Sequence, residues 1–166
     1  MIIFDLDGTL RNPEHRLHLI NREPAAWTAF YLACWNDAPI DHMLGTLKQF
    51  SDLGNTIEIW SGCSEIARSL TLEWLGRHGV WVRGQPRRTV NFKYFGTGSV
   101  AIVDALLMRG AEDFTPDVEL KQGWLTERGL LAPPEQVEMV FDDRKKVVEM
   151  WRAHGIPTVH VAPGEF

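Results

Sequence analysis

The chain has 166 residues, of which 45% are hydrophobic and 23% charged, and its formal net charge is −5. This length fits one domain with a sizeable core, and the composition excludes a disordered, collagen-like or coiled-coil protein. The acidic balance argues against a protein held on long duplex DNA by bulk positive charge, but it allows a small acidic site for a metal ion and a phosphate.

Strands and helices alternate along the chain. The first half predicts a strand over 2–4, one or two short helices over 24–35, an amphipathic helix over 40–53, a strand over 57–60 and a helix over 64–79. The second half predicts a loop or hairpin over 81–98, a strand over 100–107, a helix over 118–129, a strand over 137–141, a helix over 145–154 and a strand over 156–161. This alternation predicts an α/β fold, a Rossmann-like three-layer sandwich with a mostly parallel five-stranded sheet.

Nothing in the sequence predicts export or membrane insertion. No apolar run approaches the roughly 20 residues that cross a bilayer. The N-terminus, Met1–Asp5, lacks the basic start and the cleavage site of a signal peptide. Cys34 and Cys63 are too few for a disulfide framework, which favours a reducing compartment. We therefore expect a cytoplasmic protein.

Polar motifs follow the predicted strands. They are Asp5-Leu6-Asp7-Gly8-Thr9 after the first strand, Ser61-Gly62 after the second, Lys121 near a helix start, and Asp142-Asp143 after a late strand. Each one alone has an ordinary explanation as a turn, a helix cap or a solvated helix face. Because ligands bind beyond the carboxyl ends of parallel strands, their joint occurrence predicts one site at one sheet edge.

These motifs resemble those of the haloacid dehalogenase-like (HAD) phosphohydrolase superfamily. The C-terminal stretches 140–152 and 161–166 further resemble the end of the 3′-phosphatase domain of bacteriophage polynucleotide kinase/phosphatases. The resemblance implies a HAD-like fold with a minimal cap, and an enzyme in the cytoplasm of a bacterial or phage-infected cell. No Gly-x-x-x-x-Gly-Lys-Ser/Thr loop is present in the sequence, so we expect a phosphatase without the kinase half.

The resemblance implies a two-step hydrolysis at the first motif. Asp5 would attack phosphorus and form an aspartyl-phosphate, while Asp7 would protonate the leaving alcohol and then take a proton from the attacking water. The implied cofactor is Mg²⁺, held by the Asp5 carboxylate, the Asp7 main-chain carbonyl and the Asp142 carboxylate.

The other motifs would act on the phosphate or on the catalytic groups. Ser61 and the backbone N–H of Gly62 would hydrogen-bond the phosphoryl oxygens, and Lys121 would neutralise the charge that Asp5 shares with the phosphoryl group. Asp143 would orient Lys121 or a metal-bound water. Asp117, four residues before Lys121, is expected to pair with it on one helix face.

The sequence departs from the family pattern after the second motif. The family has an arginine there, and Cys63 stands in its place. We expect Arg109, or a residue of the inserted segment, to make the missing phosphate contact. The functional arginine of the loop after the first motif corresponds to Arg16, with Arg11 as the alternative.

Two segments are candidates to cover the site: 11–37 as a small cap, and 81–98 as an inserted hairpin or flap. The second interleaves cationic and aromatic residues, namely Arg83, Arg87, Arg88 and Lys93 with Trp81, Phe92, Tyr94 and Phe95. Stacking on bases and pairing with phosphates needs this composition, which makes Arg87 and Arg88 candidate substrate contacts. A twisted hairpin whose aromatic side chains cover the core explains it equally well.

The leading hypothesis is a Mg²⁺-dependent phosphomonoesterase that removes 3′-phosphate from polynucleotide ends. A nucleoside monophosphate phosphatase is the enzymatic alternative, and a catalytically silent module that binds nucleic-acid ends is the alternative from another class. The expected partner is therefore a phosphorylated nucleic-acid end or a nucleotide, without a broad duplex-binding surface or a membrane.

Overall fold

Residues Ile2–Phe4 form the central strand of a parallel sheet in the computed structural model, which describes residues 1–85, 100–131 and 136–164. In chain order the strands are β1 (Ile2–Phe4), β2 (Arg11–Asn12), β3 (Ala38–Pro39), β4 (Ile57–Ser64), β5 (Val80–Val82), β6 (Ala101–Val103), β7 (Ala105–Arg109), β8 (Met139–Arg144) and β9 (Thr158–Gly164). The helices are α1 (Trp27–Leu32), α2 (Asp41–Asp52), α3 (Arg68–Arg77), α4 (Asp117–Glu127) and α5 (Lys145–Ala153).

The main sheet has five strands in the order β7-β4-β1-β8-β9, and every pair is parallel. The predicted α/β fold is therefore confirmed. Ile2 of β1 lies beside Ile57 on one side and Met139 on the other, so β1, β4 and β8 run in register to the same edge. This register brings the residues that follow the three strands together.

Two hydrophobic clusters cover the two faces of the sheet. Phe4 packs in the cluster that includes Leu47 of α2 and Trp74 of α3, whereas its neighbour Ile3 packs with Leu125 of α4 and Trp151 of α5. Successive side chains of a strand point to opposite faces, so β1 supplies both cores. The apolar run of β1 reflects this double burial.

The predicted strand over 100–107 is in fact two strands. Asp104 separates β6 from β7, and its carboxylate accepts hydrogen bonds from the backbone N–H of Ile57 and from Arg83. Strand β6 leaves the main sheet and pairs in parallel with β5. The predicted insert also begins too early, because Trp81 and Val82 belong to β5.

Arg87 and Arg88 lie outside the described residues, as does most of the predicted insert. The other candidate cover, residues 11–37, contains β2, α1 and two 3₁₀ helices (Glu14–Leu19 and Ala33–Asn36). β2 pairs with β3 in an antiparallel ribbon. Among the described residues, no helix is both long enough and apolar enough to span a membrane.

Candidate active site

Three of the predicted site residues meet at the carboxyl edge of the sheet. Asp5 directly follows β1, and Asp142 lies one residue beyond the position paired with Phe4. The ammonium group of Lys121 reaches between them from α4, donating to Asp5 Oδ1 at 2.6 Å and to Asp142 Oδ2 at 2.7 Å. All three side chains are buried.

Burial and the neighbouring charges together shift the pKa values of Asp5 and Lys121. Burial raises the pKa of Asp5 well above its usual value, and Asp142 and Asp143 add to the rise, while Lys121 opposes it. Burial lowers the pKa of Lys121, but Asp142 and Asp5 outweigh this effect and raise it. Lys121 is therefore held as a cation beside the candidate nucleophile, whose ionised form depends on that neighbour.

Asp7 sits in a separate network of buried charges. Its Oδ1 accepts from Arg11 Nε at 2.5 Å and from Arg16 Nη2 at 2.9 Å. Asp37, also buried, pairs with both arginines. Burial alone would raise the pKa of Asp7, but Arg11 and Arg16 lower it to about 2. Asp7 is therefore a carboxylate at neutral pH.

This network corrects the expectation for Arg16 as a substrate contact. The Arg16 side chain is completely buried, and its guanidinium donates to Asp7, to Asp37 and to the carbonyl oxygen of Phe30. Arg11 is equally buried. In this structure both arginines orient Asp7 rather than reach the surface.

Asp143 is buried without a partner. Neither carboxylate oxygen has a hydrogen-bond partner among the described residues, and the side chain lies against Gly8. A Cβ at Gly8 would be only 2.2 Å from Asp143 Oδ2, and Gly8 has a φ of +91°. The turn therefore requires glycine for two separate reasons, space and backbone conformation. Burial, followed by the charge of Asp142, raises the pKa of Asp143 to about 7. Of the two expected roles of Asp143, orienting Lys121 does not agree with the structure, because Lys121 bonds to Asp5 and Asp142, while orienting a metal-bound water stays a prediction.

The second motif forms a tight corner at the end of β4. Ser61 Oγ accepts from the backbone N–H of Cys63 at 3.1 Å, which leaves its hydroxyl proton available. Gly62 allows a close approach by Asp117, whose Oδ1 would be 2.5 Å from a Cβ at that position. Cys63 is buried, and burial raises the pKa of its thiol, so it does not replace a cationic side chain.

Arg109 ties this corner to the rest of the site. Its Nε donates to the carbonyl oxygen of Gly62 at 2.9 Å, and its Nη atoms donate to Asp117 and to the carbonyl oxygen of Thr115. Asp117 also accepts from Arg144. The predicted pairing of Asp117 with Lys121 is therefore wrong: Asp117 joins two arginines instead.

Comparison with known proteins identifies the family. A family profile described as the polynucleotide kinase PNKP phosphatase domain matches residues 1–166. The chain belongs to that family. The resemblance that the four motifs carry is thus confirmed, and the chain is a HAD-type phosphatase domain by family. Among curated proteins, no sequence matches it.

Solved structures agree on the fold of this phosphatase. A chain in a Pnkp1/Rnl/Hen1 complex is 26% identical with a TM-score of 0.70, covering 99% of this chain and 46% of that one. A chain in the Pnkp1/Rnl/Hen1 RNA repair complex is 25% identical with a TM-score of 0.66, covering 99% and 43%. The phosphatase thus spans less than half of either chain. A HAD family enzyme of Bacteroides thetaiotaomicron, in complex with magnesium and inorganic phosphate, shares the fold at 13% identity and a TM-score of 0.53, covering 99% and 95%.

Some of the candidate catalytic groups line a cavity of about 840 Å³. Asp5, Asp7 and Gly62 line it, together with Arg109 and Arg144. Sequence reasoning missed Arg144, although it follows the acidic pair in β8 and could have been found as the next residue at that strand end. It also missed the aromatic wall of the cavity, which Trp27, Phe30 and Tyr31 supply from the candidate cap and Phe114 supplies from the loop before α4.

The donor set fits a hard divalent cation in part. Among the described residues, no three side chains of the metal-binding types are already grouped for coordination. The predicted set needs only two, however, because its third donor is the Asp7 main-chain carbonyl. Asp143 adds a buried carboxylate without a partner, and such a group is costly unless it is paired or coordinates a metal. These all-oxygen donors are the kind that Mg²⁺ prefers.

Proposed function

We propose that this phosphatase removes 3′-phosphate groups from nucleic-acid ends in a Mg²⁺-dependent reaction. The observation that carries the proposal is the buried contact of Lys121 with Asp5 and Asp142, in which Asp5 also lines a cavity large enough for more than a phosphate. The family supports phosphatase chemistry, and the similar chains in an RNA repair complex support a nucleic-acid end as substrate.

Asp5 is the proposed nucleophile. One of its carboxylate oxygens bonds to phosphorus as the bond from phosphorus to the 3′ oxygen breaks, and the leaving oxygen takes a proton from Asp7. A water molecule then attacks the phosphorus of the aspartyl-phosphate and gives a proton to Asp7. Inorganic phosphate leaves, and Asp5 returns as a carboxylate. Lys121, 2.6 Å from Asp5 Oδ1, stabilises the ionised nucleophile.

Asp7 must hold a proton for the first step, yet in the free protein its pKa is lowered to about 2 by Arg11 and Arg16 against the effect of burial. A doubly charged phosphate entering beside it would raise that pKa, because like charges disfavour ionisation. Both arginines hold the same oxygen, Oδ1, so proton transfer is proposed at Oδ2. The two arginines stabilise the carboxylate that forms when Asp7 gives its proton to the leaving oxygen.

Mg²⁺ is the proposed cofactor, held by the Asp5 carboxylate, the Asp7 main-chain carbonyl and an acidic residue of β8. The sequence-based choice is Asp142, but both of its oxygens already accept hydrogen bonds, from Lys121 and from the backbone N–H of Arg144. We propose Asp143 as a further ligand because its carboxylate has no partner among the described residues. When bound, the cation lowers the repulsion between the carboxylates and an anionic substrate.

Phosphate recognition is proposed for the corner at the end of β4. The Ser61 hydroxyl and the Gly62 N–H are the donors, and Arg109 keeps the corner in place through the Gly62 carbonyl. Arg109 lines the cavity, but its bonds to Gly62, Thr115 and Asp117 make it a positioning residue in the free protein. Arg144 also pairs with Asp117, but its side chain is 37% exposed, against 9% for Arg109, and it lines the same cavity. It is therefore the proposed cationic contact where the family has an arginine and this chain has Cys63.

A nucleoside monophosphate phosphatase is the second candidate. A cavity of about 840 Å³ with aromatic walls lies within the range of roughly 300–1,000 Å³ typical of small-molecule sites. A single nucleotide would therefore fit as well as a strand end.

Four substrates separate these candidates: a 3′-phosphorylated oligonucleotide, the same strand phosphorylated at the 5′ end, a 3′-mononucleotide and a 5′-mononucleotide. Each is assayed for phosphate release with Mg²⁺ and with EDTA. We expect the 3′-phosphorylated strand to have the highest kcat/KM, and Asp5→Asn to abolish release. Asp52→Asn, at an exposed position at the end of α2, is the matched control and should retain full activity. A mononucleotide preferred by orders of magnitude would overturn the strand-end proposal, and release unaffected by Asp5→Asn would overturn the catalytic assignment.

A further inference from the structure

Exposed aromatic side chains stand beside the catalytic groups. Trp27, at the start of α1, is 49% exposed, and Phe114, in the loop before α4, is 87% exposed. Both line the cavity that contains Asp5 and Asp7. Single exposed hydrophobic residues are common on protein surfaces, but two that line the same cavity as the candidate catalytic groups need an explanation.

Trp27 is held in place by its neighbours. Its ring lies 6.0 Å from that of Phe30 at an interplanar angle of 82°, and 6.0 Å from that of Tyr31 at 31°. Such packing orients the indole before any ligand arrives, so less conformational entropy is lost on binding. The exposed part of the ring is then available to stack on a flat ligand.

Two lysine side chains also line this cavity. Lys145 and Lys146, at the start of α5, are both exposed and belong to its lining. The net charge of the whole chain is −5, so this local pair of cations is not a consequence of an overall basic surface. Aromatic faces combined with cations are the features by which proteins hold single-stranded nucleic acid, since bases stack on the rings and phosphates meet the charges.

We propose that Trp27 and Phe114 form a stacking seat for the unpaired bases at the 3′ end of a single strand, and that Lys145 and Lys146 contact the adjoining backbone phosphates. This inference rests on the proposed function, because the seat serves to deliver a terminal phosphate to Asp5. A base in a duplex has both faces covered by its neighbours, so a seat of this kind selects single-stranded or frayed ends over blunt ones.

The test compares two single-stranded substrates that differ only in their bases. Both carry a 3′-phosphate on the same backbone, but one has two abasic residues at its 3′ end. The unmodified phosphatase should use the normal end with a lower KM than the abasic end. Trp27→Ala and Phe114→Ala should each raise KM for the normal end about 5- to 150-fold, the range expected for one base–aromatic stack. KM for the abasic end should stay within about twofold.

Matched variants guard against indirect effects. Trp27→Phe and Phe114→Tyr keep a stacking face and should restore most of the affinity. Leu53→Ala removes another exposed side chain, 77% exposed after the end of α2, and should change neither KM. Binding of a labelled strand to Asp5→Asn protein in EDTA gives a readout that needs no turnover, and Trp27→Ala should weaken it by the same factor as KM.

The outcomes distinguish the two proposals. If the unmodified phosphatase releases phosphate from neither strand, the proposed function fails. If it acts on both strands and the aromatic variants raise both KM values equally, or neither, the stacking seat is refuted while the proposed function stands. Equal use of a blunt duplex end and a single-stranded end would also refute the seat.

Discussion

Replacing Asp143 by asparagine should make the metal-free protein more stable. Asp143 is 1% exposed, and neither of its oxygens has a partner among the described residues. Burial, and then the charge of Asp142, raises its pKa from 3.8 to about 7. A difference of about 3 pKa units, at 1.36 kcal/mol per unit, means that the ionised side chain costs the fold up to about 4 kcal/mol above pH 7.

The pH dependence of this gain has a definite sign. Between about pH 4 and pH 7 the folded protein binds a proton at Asp143 that the unfolded chain has lost, so the free energy of unfolding falls as pH rises through this window. Asparagine has no such dependence. The stability gain of Asp143→Asn should therefore be near zero at pH 4, grow up to about pH 7 and be constant above it.

The assay is chemical denaturation in EDTA at several pH values, followed by the same series with Mg²⁺. Asp142→Asn is the matched control, because Asp142 bonds to Lys121 and to the backbone N–H of Arg144 and its replacement should destabilise the protein. Mg²⁺ should stabilise the unmodified protein more than Asp143→Asn. A loss of stability for Asp143→Asn in EDTA at pH 8 would refute the view that Asp143 is an uncompensated buried charge.

Other substitutions separate activity from stability. Gly62→Ala should lower kcat/KM at least about tenfold because its Cβ would displace Asp117, while Gly45→Ala, with nothing within 4 Å, should have no such effect; steady-state assays compare them. Glu58→Ala should lower the free energy of unfolding by about 1–3 kcal/mol, measured by denaturation, with kcat/KM unchanged, because it leaves the buried indole N–H of Trp60 without its acceptor. The two cysteines are buried, so a thiol reagent should label them far more slowly in the native protein than in denaturant; equally fast labelling would contradict their burial.

The strand ends could be predicted from the sequence because they depend on local pattern and on one general rule. A short apolar run predicts a buried strand, and parallel strands present their carboxyl ends at one edge, so the meeting of Asp5 with Asp142 followed. Spacing along a helix was a weaker guide. Asp117 and Lys121 share a face of α4, but the arginines at the ends of β7 and β8 come close enough to take Asp117, and nothing local to α4 indicates them.

The features of the site and the fold that the sequence did not predict depend on contacts between segments that are distant in the chain. Arg16 and Asp37 are 21 residues apart and pair only because β2 and β3 form a ribbon that brings the two segments together. Trp27 and Phe114 line one cavity although they lie far apart in the chain. The break between β6 and β7 had a visible signal, since Asp104 interrupts the apolar run, but its role as an acceptor for Ile57 depends on the neighbouring strand.

The pKa values of the carboxylates at the site are shifted in opposite directions, and these shifts affect how a cation would bind. Arg11 and Arg16 hold the pKa of Asp7 at about 2 against burial, whereas burial raises the pKa of Asp5 and Asp143. As the proposed nucleophile, Asp5 must be ionised, and Lys121 alone does not offset its burial. Protons and Mg²⁺ would then compete for the same carboxylates. Raising the Mg²⁺ concentration should therefore move the acidic limb of the profile of kcat/KM against pH to lower pH. If the acidic limb did not depend on Mg²⁺, the proton that controls activity would belong to a group other than these carboxylates.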